Sequence, residues 1–295
     1  MTRLGSENSI PCPAPPPNGR GRFLRLPRSR RLVTDLLHFT RGLPTQAVVR
    51  HCSMPAVARL QRDRARVRRI SWPVLFMKAY GLLSARQPVL RQVYMRFPTP
   101  YLYEHPYSIA RMTVSRRIGN QDWVMFARVY SPEMYSLLAL QEQIDNFKHA
   151  PIETIDRFRY QLAFSRFPRW ARRLAWWCSL NISGRARIDR FGTFGMTTVS
   201  GHGALSIHPP TIQSSMLTFG PVDEAGNVRV TIVYDHRLVD GGIIAGFMEE
   251  LESILNHEVL NELRDISSAT PENPGRRSVQ TDAAWPLRSG AASRD

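Results

Sequence analysis

Seven residues near the C-terminal end of the chain combine side chains that can move protons. They read Asp235-His236-Arg237-Leu238-Val239-Asp240-Gly241. The imidazole of His236 belongs to a class of side chain that titrates near neutral pH and can both accept and return a proton. These residue types therefore indicate general acid–base chemistry centred on His236.

The segments on either side of this motif predict how it is held. Alternating apolar residues over 228–234 predict a strand with one buried face. Apolar residues spaced three or four apart over 244–255 predict an amphipathic helix, and Asp240 stands where its N-cap would be. We therefore expect His236 at the end of a strand, just before a helix, where a base is rigidly held and still meets a substrate.

The motif Asp-His-Arg-x-x-Asp-Gly resembles the active-site motif of the acyltransferase (E2) catalytic domain of 2-oxoacid dehydrogenase complexes. Chloramphenicol acetyltransferase carries a related His-x-x-x-Asp-Gly motif. Three earlier segments match the same family in order and approximate spacing, namely 192–198, 208–211 and 214–220. The resemblance covers about residues 23–265. It implies an α/β fold of the chloramphenicol acetyltransferase type, a two-layer sandwich of mixed sheet and helices.

The resemblance also implies roles for individual residues. Acyl transfer from a thioester would use His236 as the general base that activates the acceptor. Thr197 stands where the family has an oxyanion serine, and it keeps a hydroxyl donor. Asp240 would order the site through a salt bridge to the first helix, with Arg30 or Arg31 as partner and Arg30 the better match in register. A helix N-cap is a second role for Asp240, and the two roles are compatible.

The family implies partners as well. Its members trimerise and place each active site between subunits, so we expect a homotrimer or a multiple of trimers, in which His236 faces Thr197 of a neighbour. The implied substrate is an acyl thioester of coenzyme A, while the acceptor stays unidentified. Neither Lys78 nor Lys148 lies in an Asp-Lys-Ala lipoylation motif, and no lipoyl domain is recognisable. We therefore expect a free-standing member with no covalently bound lipoyl group, for which a separate lipoyl protein is an alternative donor.

Composition predicts one folded domain between two tails. The chain has 295 residues, and residues 1–22 hold five closely spaced prolines with little periodic apolar content. Residues 266–295 are rich in Ser, Pro, Gly and Arg. Both ends are predicted to be disordered, which leaves residues 23–265 as the catalytic domain.

The net charge of +16 fits an acidic partner such as nucleic acid, an anionic membrane or coenzyme A, or simply a solvated arginine-rich surface. No zinc-finger spacing or RNA-binding aromatic motif occurs, which disfavours nucleic acid. The segment 158–183 interleaves tryptophans with arginines, as do helices that lie on membranes or pack on other proteins. The alternative function is therefore a catalytically silent trimeric scaffold or a membrane-surface adaptor of the same fold.

The cysteines and the hydropathy of the chain indicate the cellular compartment of the protein. Cys12, Cys52 and Cys178 are widely spaced and odd in number, which argues against a disulfide framework and against a zinc site. No metal is expected. No continuous apolar stretch matches a signal peptide or reaches the roughly 20 residues of a membrane span. These features predict a cytoplasmic protein.

Overall fold

The computed structural model describes residues 25–63 and 69–268. The predicted N-terminal tail, and the predicted C-terminal tail from residue 269 onward, lie outside the described residues. The last helix runs to Ser268, a little past the expected domain end at residue 265.

A mixed six-stranded sheet forms the centre of the fold, in the order β1-β8-β7-β6-β4-β5. The β6–β7 and β4–β6 pairs are parallel and the others are antiparallel. A separate two-stranded sheet joins β2 and β3. The strands are β1 Thr45–Ser53, β2 Gln92–Met95, β3 Tyr101–Glu104, β4 Ile109–Ile118, β5 Gln121–Tyr130, β6 Phe194–Thr197, β7 Ser215–Phe219 and β8 Asn227–Asp235.

Helices connect these strands and cover the sheet. They are α1 Arg28–Thr40, α2 Pro55–Asp63, α3 Trp72–Arg86, α4 Leu137–His149, α5 Asp156–Phe164, α6 Arg169–Asn181, α7 Gly184–Phe191, α8 Gly241–Ile254 and α9 Leu260–Ser268. A single π-helical segment, Leu255–Val259, joins α8 to α9. None of the described helices combines the length and apolarity that a membrane span requires.

One face of the sheet carries the main core. Alternate residues of each strand point to this face, so Phe194, Leu217 and Ile232 pack in one cluster with apolar residues of α3 and α8. Helix α3 is buried along most of its length, as its apolar composition from residue 73 to 84 predicts. The predicted two-layer arrangement of a mixed sheet and helices is confirmed.

Helices α1, α6 and α7 build a second, smaller cluster away from this core. Trp176, Leu180, Phe191 and Ile212 are its buried members. Helix α5 lies along the free edge of β5, where the Gln161 side chain bonds both the amide and the carbonyl of Phe126, at 3.0 Å each. The side-chain amide of Gln161 thus takes the place of a neighbouring strand at Phe126 and satisfies the hydrogen-bonding groups of that residue's backbone.

Most predicted elements are present with small changes in their ends. The Gly119-Asn120 pair between two strand-like runs predicts a hairpin, and β4 and β5 turn there. Ser131-Pro132-Glu133 predicts a helix start, but the helix begins at Leu137, because Ser131 has a left-handed backbone and Ser136 caps the helix with its side chain. Strands β2 and β3 and the helix α7 were not predicted, since each is too short for its apolar period to stand out.

The Trp/Arg segment divides into α5 and α6, and its tryptophans differ in burial. Trp176 is buried against Phe39 and Phe191, whereas Trp170 is 72% exposed and Trp177 is 46% exposed. Trp176 therefore contributes to the fold, and only the other two present an indole to an outside surface.

The backbone conformation and close surroundings of Gly226 leave no room for a side chain. Its φ is +89°, and a Cβ added there would lie 2.5 Å from the carbonyl oxygen of Met54. Gly226→Ala should therefore lower the free energy of unfolding by at least about 2 kcal/mol, through left-handed strain and the backbone clash. Chemical unfolding followed by circular dichroism measures this loss in the free energy of unfolding. Gly242→Ala is the matched control, because it meets open space and should be neutral or stabilising; equal losses in both variants would contradict the prediction.

Candidate active site

The histidine of the motif lies directly after the end of β8. The backbone amide of His236 donates to the carbonyl of Pro44 at 3.0 Å, and the amide of Asp235 donates to the carbonyl of Ser214 at 3.0 Å. Two neighbouring segments thus hold the backbone on both sides of the strand end. The His236 side chain remains 37% exposed. The backbone of His236 is therefore held in place while part of its side chain is accessible to solvent.

An ion pair within the motif shapes the turn that presents the histidine. The buried carboxylate of Asp235 accepts from Arg237 Nε at 2.8 Å and from its Nη2 at 2.5 Å. The Arg237 guanidinium also lies 4.4 Å from the centre of the Tyr94 ring. This ion pair was not predicted, although opposite charges two residues apart in a turn are a usable signal.

Asp240 lies beside the imidazole that precedes it. Its Oδ1 is 3.3 Å from His236 Nδ1. A proton on Nδ1 that faces Asp240 leaves Nε2 free to act as the base. Asp240 is also the N-cap residue of α8, but its side chain makes no capping hydrogen bond. Burial, and secondarily the charge of Asp240, raises the pKa of the adjacent Tyr234.

The predicted salt bridge from Asp240 to Arg30 or Arg31 is not formed within the described part of the chain. Both arginines lie in the first turn of α1, at the far end from the turn that leads into β1. Arg31 donates to the carbonyl of Ser165 at 3.2 Å, so α1 directs it to the α5–α6 connection. Within the described residues, α1 instead pairs through Asp35, with Arg172 at 2.6 Å and with Arg173 at 3.9 Å.

Thr197 ends β6 and lines a cavity of about 160 Å³. In the described residues, no hydrogen bond engages its hydroxyl, which is therefore available as a donor. Because β6 and β7 are parallel, the segment 198–214 must run back to the end of the sheet where both strands begin. It does so over the sheet face opposite the main core. The cavity walls come from α1, β4, β5, this returning segment and β7: Val33, Leu36, Arg111, Thr113, Val124, Phe126, Pro209, Pro210, Gln213 and Met216.

Strand register separates Thr197 from His236 within one chain. Thr197 is level with Thr218, whereas Tyr234 is level with Ser215, so His236 falls near the level of Gln213. Five residues of strand span about 16 Å, and two strand spacings add about 10 Å across the sheet. The two side chains therefore lie at different ends of the sheet and cannot act on one reacting group inside a single subunit.

A second cavity, of about 180 Å³, is lined by Arg237, the residue that follows the histidine. Arg96, Arg187 and Arg237 line it together with Tyr94. Arg187 donates to the carbonyls of Tyr94 and Ile212, and burial, with the charge of Arg237 as a smaller cause, lowers its pKa to about 10. Positive charge is thus concentrated around the cavity that Arg237 lines. No group of three His, Cys, Asp or Glu side chains suited to a metal ion occurs in the ranges 25–63 and 69–268.

The comparisons with known proteins give a clear answer only for structure. No family model matches the chain, and no curated protein matches its sequence. The dihydrolipoamide acetyltransferase (E2p) of Azotobacter vinelandii aligns with a TM-score of 0.59 at 15% identity, over 84% of this chain and 99% of that one. The truncated catalytic core of the 2-oxoacid dehydrogenase complex from Thermoplasma acidophilum aligns with a TM-score of 0.58 at 13% identity, over 80% and 99%.

The chain has the fold of a dihydrolipoamide acetyltransferase catalytic core. A probable dihydrolipoamide acetyltransferase from Listeria monocytogenes agrees, with a TM-score of 0.54 at 12% identity over 86% of this chain and 98% of that one. Nearly the whole of each core is covered, so the predicted resemblance extends through the sheet and its helices. At these identities the likeness establishes the acetyltransferase-core fold and leaves the chemistry to the residues of this chain.

Proposed function

We propose that this protein is an acyltransferase that moves an acyl group from a coenzyme A thioester to a small acceptor. The observation that carries the proposal is the pairing of His236 with Asp240 at an open strand end. This arrangement provides a base on the acetyltransferase-core fold, at the position that the sequence motif indicates. The arginines of the cavity that Arg237 lines suit the phosphates of coenzyme A.

The chemistry follows from the two side chains. His236 Nε2 takes the proton from the acceptor thiol, hydroxyl or amine, which attacks the thioester carbonyl carbon. The carbonyl oxygen gains negative charge, and the Thr197 hydroxyl donates a hydrogen bond to it. The carbon–sulfur bond then breaks, and the imidazolium returns its proton to the departing thiolate. The products are the acylated acceptor and free coenzyme A.

The distance between these groups implies an oligomer. Because Thr197 and His236 lie far apart in one chain, a complete site needs His236 of one subunit and Thr197 of the next. We propose a cyclic homotrimer, alone or as the unit of a larger assembly, in which each of three identical interfaces holds one site. The cavity at Thr197 would then hold the acceptor, and the partner's imidazole would close it.

Subunit mixing tests the proposal. His236→Ala and Thr197→Val should each be nearly inactive in release of free coenzyme A from acyl-CoA. When they are unfolded together in equal amounts and refolded, about a quarter of the sites should combine an intact histidine with an intact threonine. The mixture should therefore regain about a quarter of the wild-type rate. Separately refolded samples of each variant are the controls.

The results of mixing distinguish the arrangements. No rescue from two well-folded variants would contradict a site shared between subunits. No release by the wild type with acyl-CoA and a panel of thiol, alcohol and amine acceptors would contradict coenzyme A as donor. Acylated dihydrolipoamide belongs in the same panel, and a faster rate with it would favour a separate lipoyl protein as the donor.

One observation favours a second candidate, a membrane-surface adaptor. Trp170, Leu174 and Trp177 are exposed on α6 among arginines, as in helices that lie in a lipid interface. Under this candidate, Trp170→Ala/Trp177→Ala should abolish sedimentation with vesicles that contain anionic phosphatidylserine. Acyl transfer by the same variant at the wild-type rate, with unchanged sedimentation, would remove the candidate.

A further inference from the structure

Four arginines meet where β4 and β5 face α5 and α7. Arg111 and Arg128 are directly opposite each other in the antiparallel β4–β5 ladder. Arg157 of α5 and Arg190 of α7 complete the group, and these two lie with Arg111 on the walls of one small cavity of about 30 Å³. Like charges directly opposite in a ladder destabilise a sheet, so this arrangement needs a reason.

No carboxylate neutralises these four guanidinium groups among the described residues. Arg157 donates to the carbonyl of Arg190 at 2.7 Å. Arg190 donates to the Ser179 and Tyr160 hydroxyls. Arg128 lies over the ring of Tyr130. All of these partners are neutral, so the positive charge of the cluster is left uncompensated.

Arg111 is the most buried member of the cluster. It is 8% exposed, and its guanidinium carbon lies 4.3 Å from the centre of the Phe126 ring and 5.3 Å from that of Phe191. No hydrogen bond engages its donors within the described chain. Burial, and secondarily the charges of Arg157, Arg128 and Arg190, lowers its pKa to about 9. Burial of a cation without a counter-ion is unfavourable unless a bound anion supplies one.

Arg111 also belongs to the wall of the larger cavity at Thr197. The two cavities share Arg111 and Phe126, so the arginine lies where the apolar space meets the charged cluster. The remaining walls of the larger cavity are mainly apolar, with Val33, Leu36 and Met216 among them. Its 160 Å³ is well above the space that one water needs. The space suits a short apolar chain.

We propose that the cavity at Thr197 binds a ligand with an apolar body and a terminal carboxylate, and that the guanidinium of Arg111 holds this carboxylate. The aromatic rings on Arg111 leave its N–H edge to face the carboxylate, which a guanidinium pairs through two parallel hydrogen bonds. Arg128, Arg157 and Arg190 add a positive field. The substrate of the proposed acyl transfer is then a carboxylate-bearing molecule rather than a neutral one.

Calorimetric titration of the full-length protein tests this inference. Hexanoate should bind, and its neutral isostere hexanamide should bind at least about tenfold more weakly, because it lacks the charge-assisted pair. Arg111→Met should remove this difference while keeping apolar contact with the two rings. Arg117→Met is the matched control, since Arg117 is an exposed residue of the same strand; it should leave hexanoate binding unchanged.

Three results would overturn the inference. The first is equal binding of hexanoate and hexanamide, and the second is unchanged hexanoate binding in Arg111→Met. The third is binding of inorganic phosphate at Arg111 that excludes hexanoate, because phosphate would then be the recognised group. Without ligand, Arg111→Met should unfold at the wild-type temperature or above it, which separates lost binding from lost folding. The inference rests on the proposed function for the identity of the site, but binding requires no turnover, so failure of acyl transfer and failure of carboxylate binding give separate readouts.

Discussion

Replacement of His236 by alanine should lower the rate of acyl transfer by about 10²- to 10⁴-fold, the usual contribution of a positioned general base. The side chain is part-exposed, and its described contacts are with Asp240 and with the Tyr234 ring. Its removal leaves the backbone bond to Pro44 in place. We therefore expect the variant to keep its thermal stability and its oligomeric state while it loses turnover.

The measurement is release of free coenzyme A, with size-exclusion chromatography and thermal unfolding on the same samples. His149→Ala is the matched control, because His149 is exposed at the end of α4, away from the motif. It should retain the wild-type rate. Turnover by His236→Ala within a factor of a few of the wild type would disprove the role of base.

The second large effect concerns the ion pair between α1 and α6. Asp35 is 1% exposed, and its carboxylate accepts from Arg172 Nε at 2.6 Å and from Nη2 at 3.3 Å. Asp35→Ala would leave the buried Arg172 without its counter-ion. We expect a loss of about 3 to 5 kcal/mol in the free energy of unfolding, the range found when one partner of a buried pair is removed.

A surface pair provides the comparison. Asp156 and Arg159 lie one helical turn apart in α5 and are largely exposed, so Asp156→Ala should cost about 1 kcal/mol or less. The double variant Asp35→Ala/Arg172→Met should recover most of the stability lost by Asp35→Ala, since it removes the orphaned charge. Urea unfolding measures all three. A loss below about 1 kcal/mol for Asp35→Ala would show that the buried pair contributes no more than an exposed one.

The strands and the histidine were predictable because their signals are local. Alternating apolar residues predicted β8, and a cluster of fixed motif residues predicted the acetyltransferase-core fold. Asp35 and Arg172 are separated by 137 residues, so no local pattern announces that they meet. The cross-strand contact of Arg111 with Arg128 likewise depends on hairpin register, which fixes which of several arginines face each other.

The partner of Asp240 is one residue contact that the family motif predicted wrongly. The motif predicted a salt bridge to Arg30 or Arg31, but a helix turns through 100° per residue, and partner choice depends on how α1 is rotated and where it ends. In this chain α1 directs Arg31 to Ser165 and Asp35 to Arg172. Asp240 is left beside His236, only four residues away, where the backbone itself sets the distance.

The bond from His236 to Pro44 also dictates when the site can form during protein synthesis. The edge strand β1 pairs with β8 over its whole length, so its pairing cannot be complete until the ribosome has made about 180 residues beyond Ser53. At usual elongation rates this takes about 10 to 40 s. During that interval the nascent chain carries β1 without its strand partner, and an unpaired strand edge can pair with other chains. Assembly of the histidine site is thus among the last events of folding, and a chain truncated before β8 would carry an unpaired edge strand without the base.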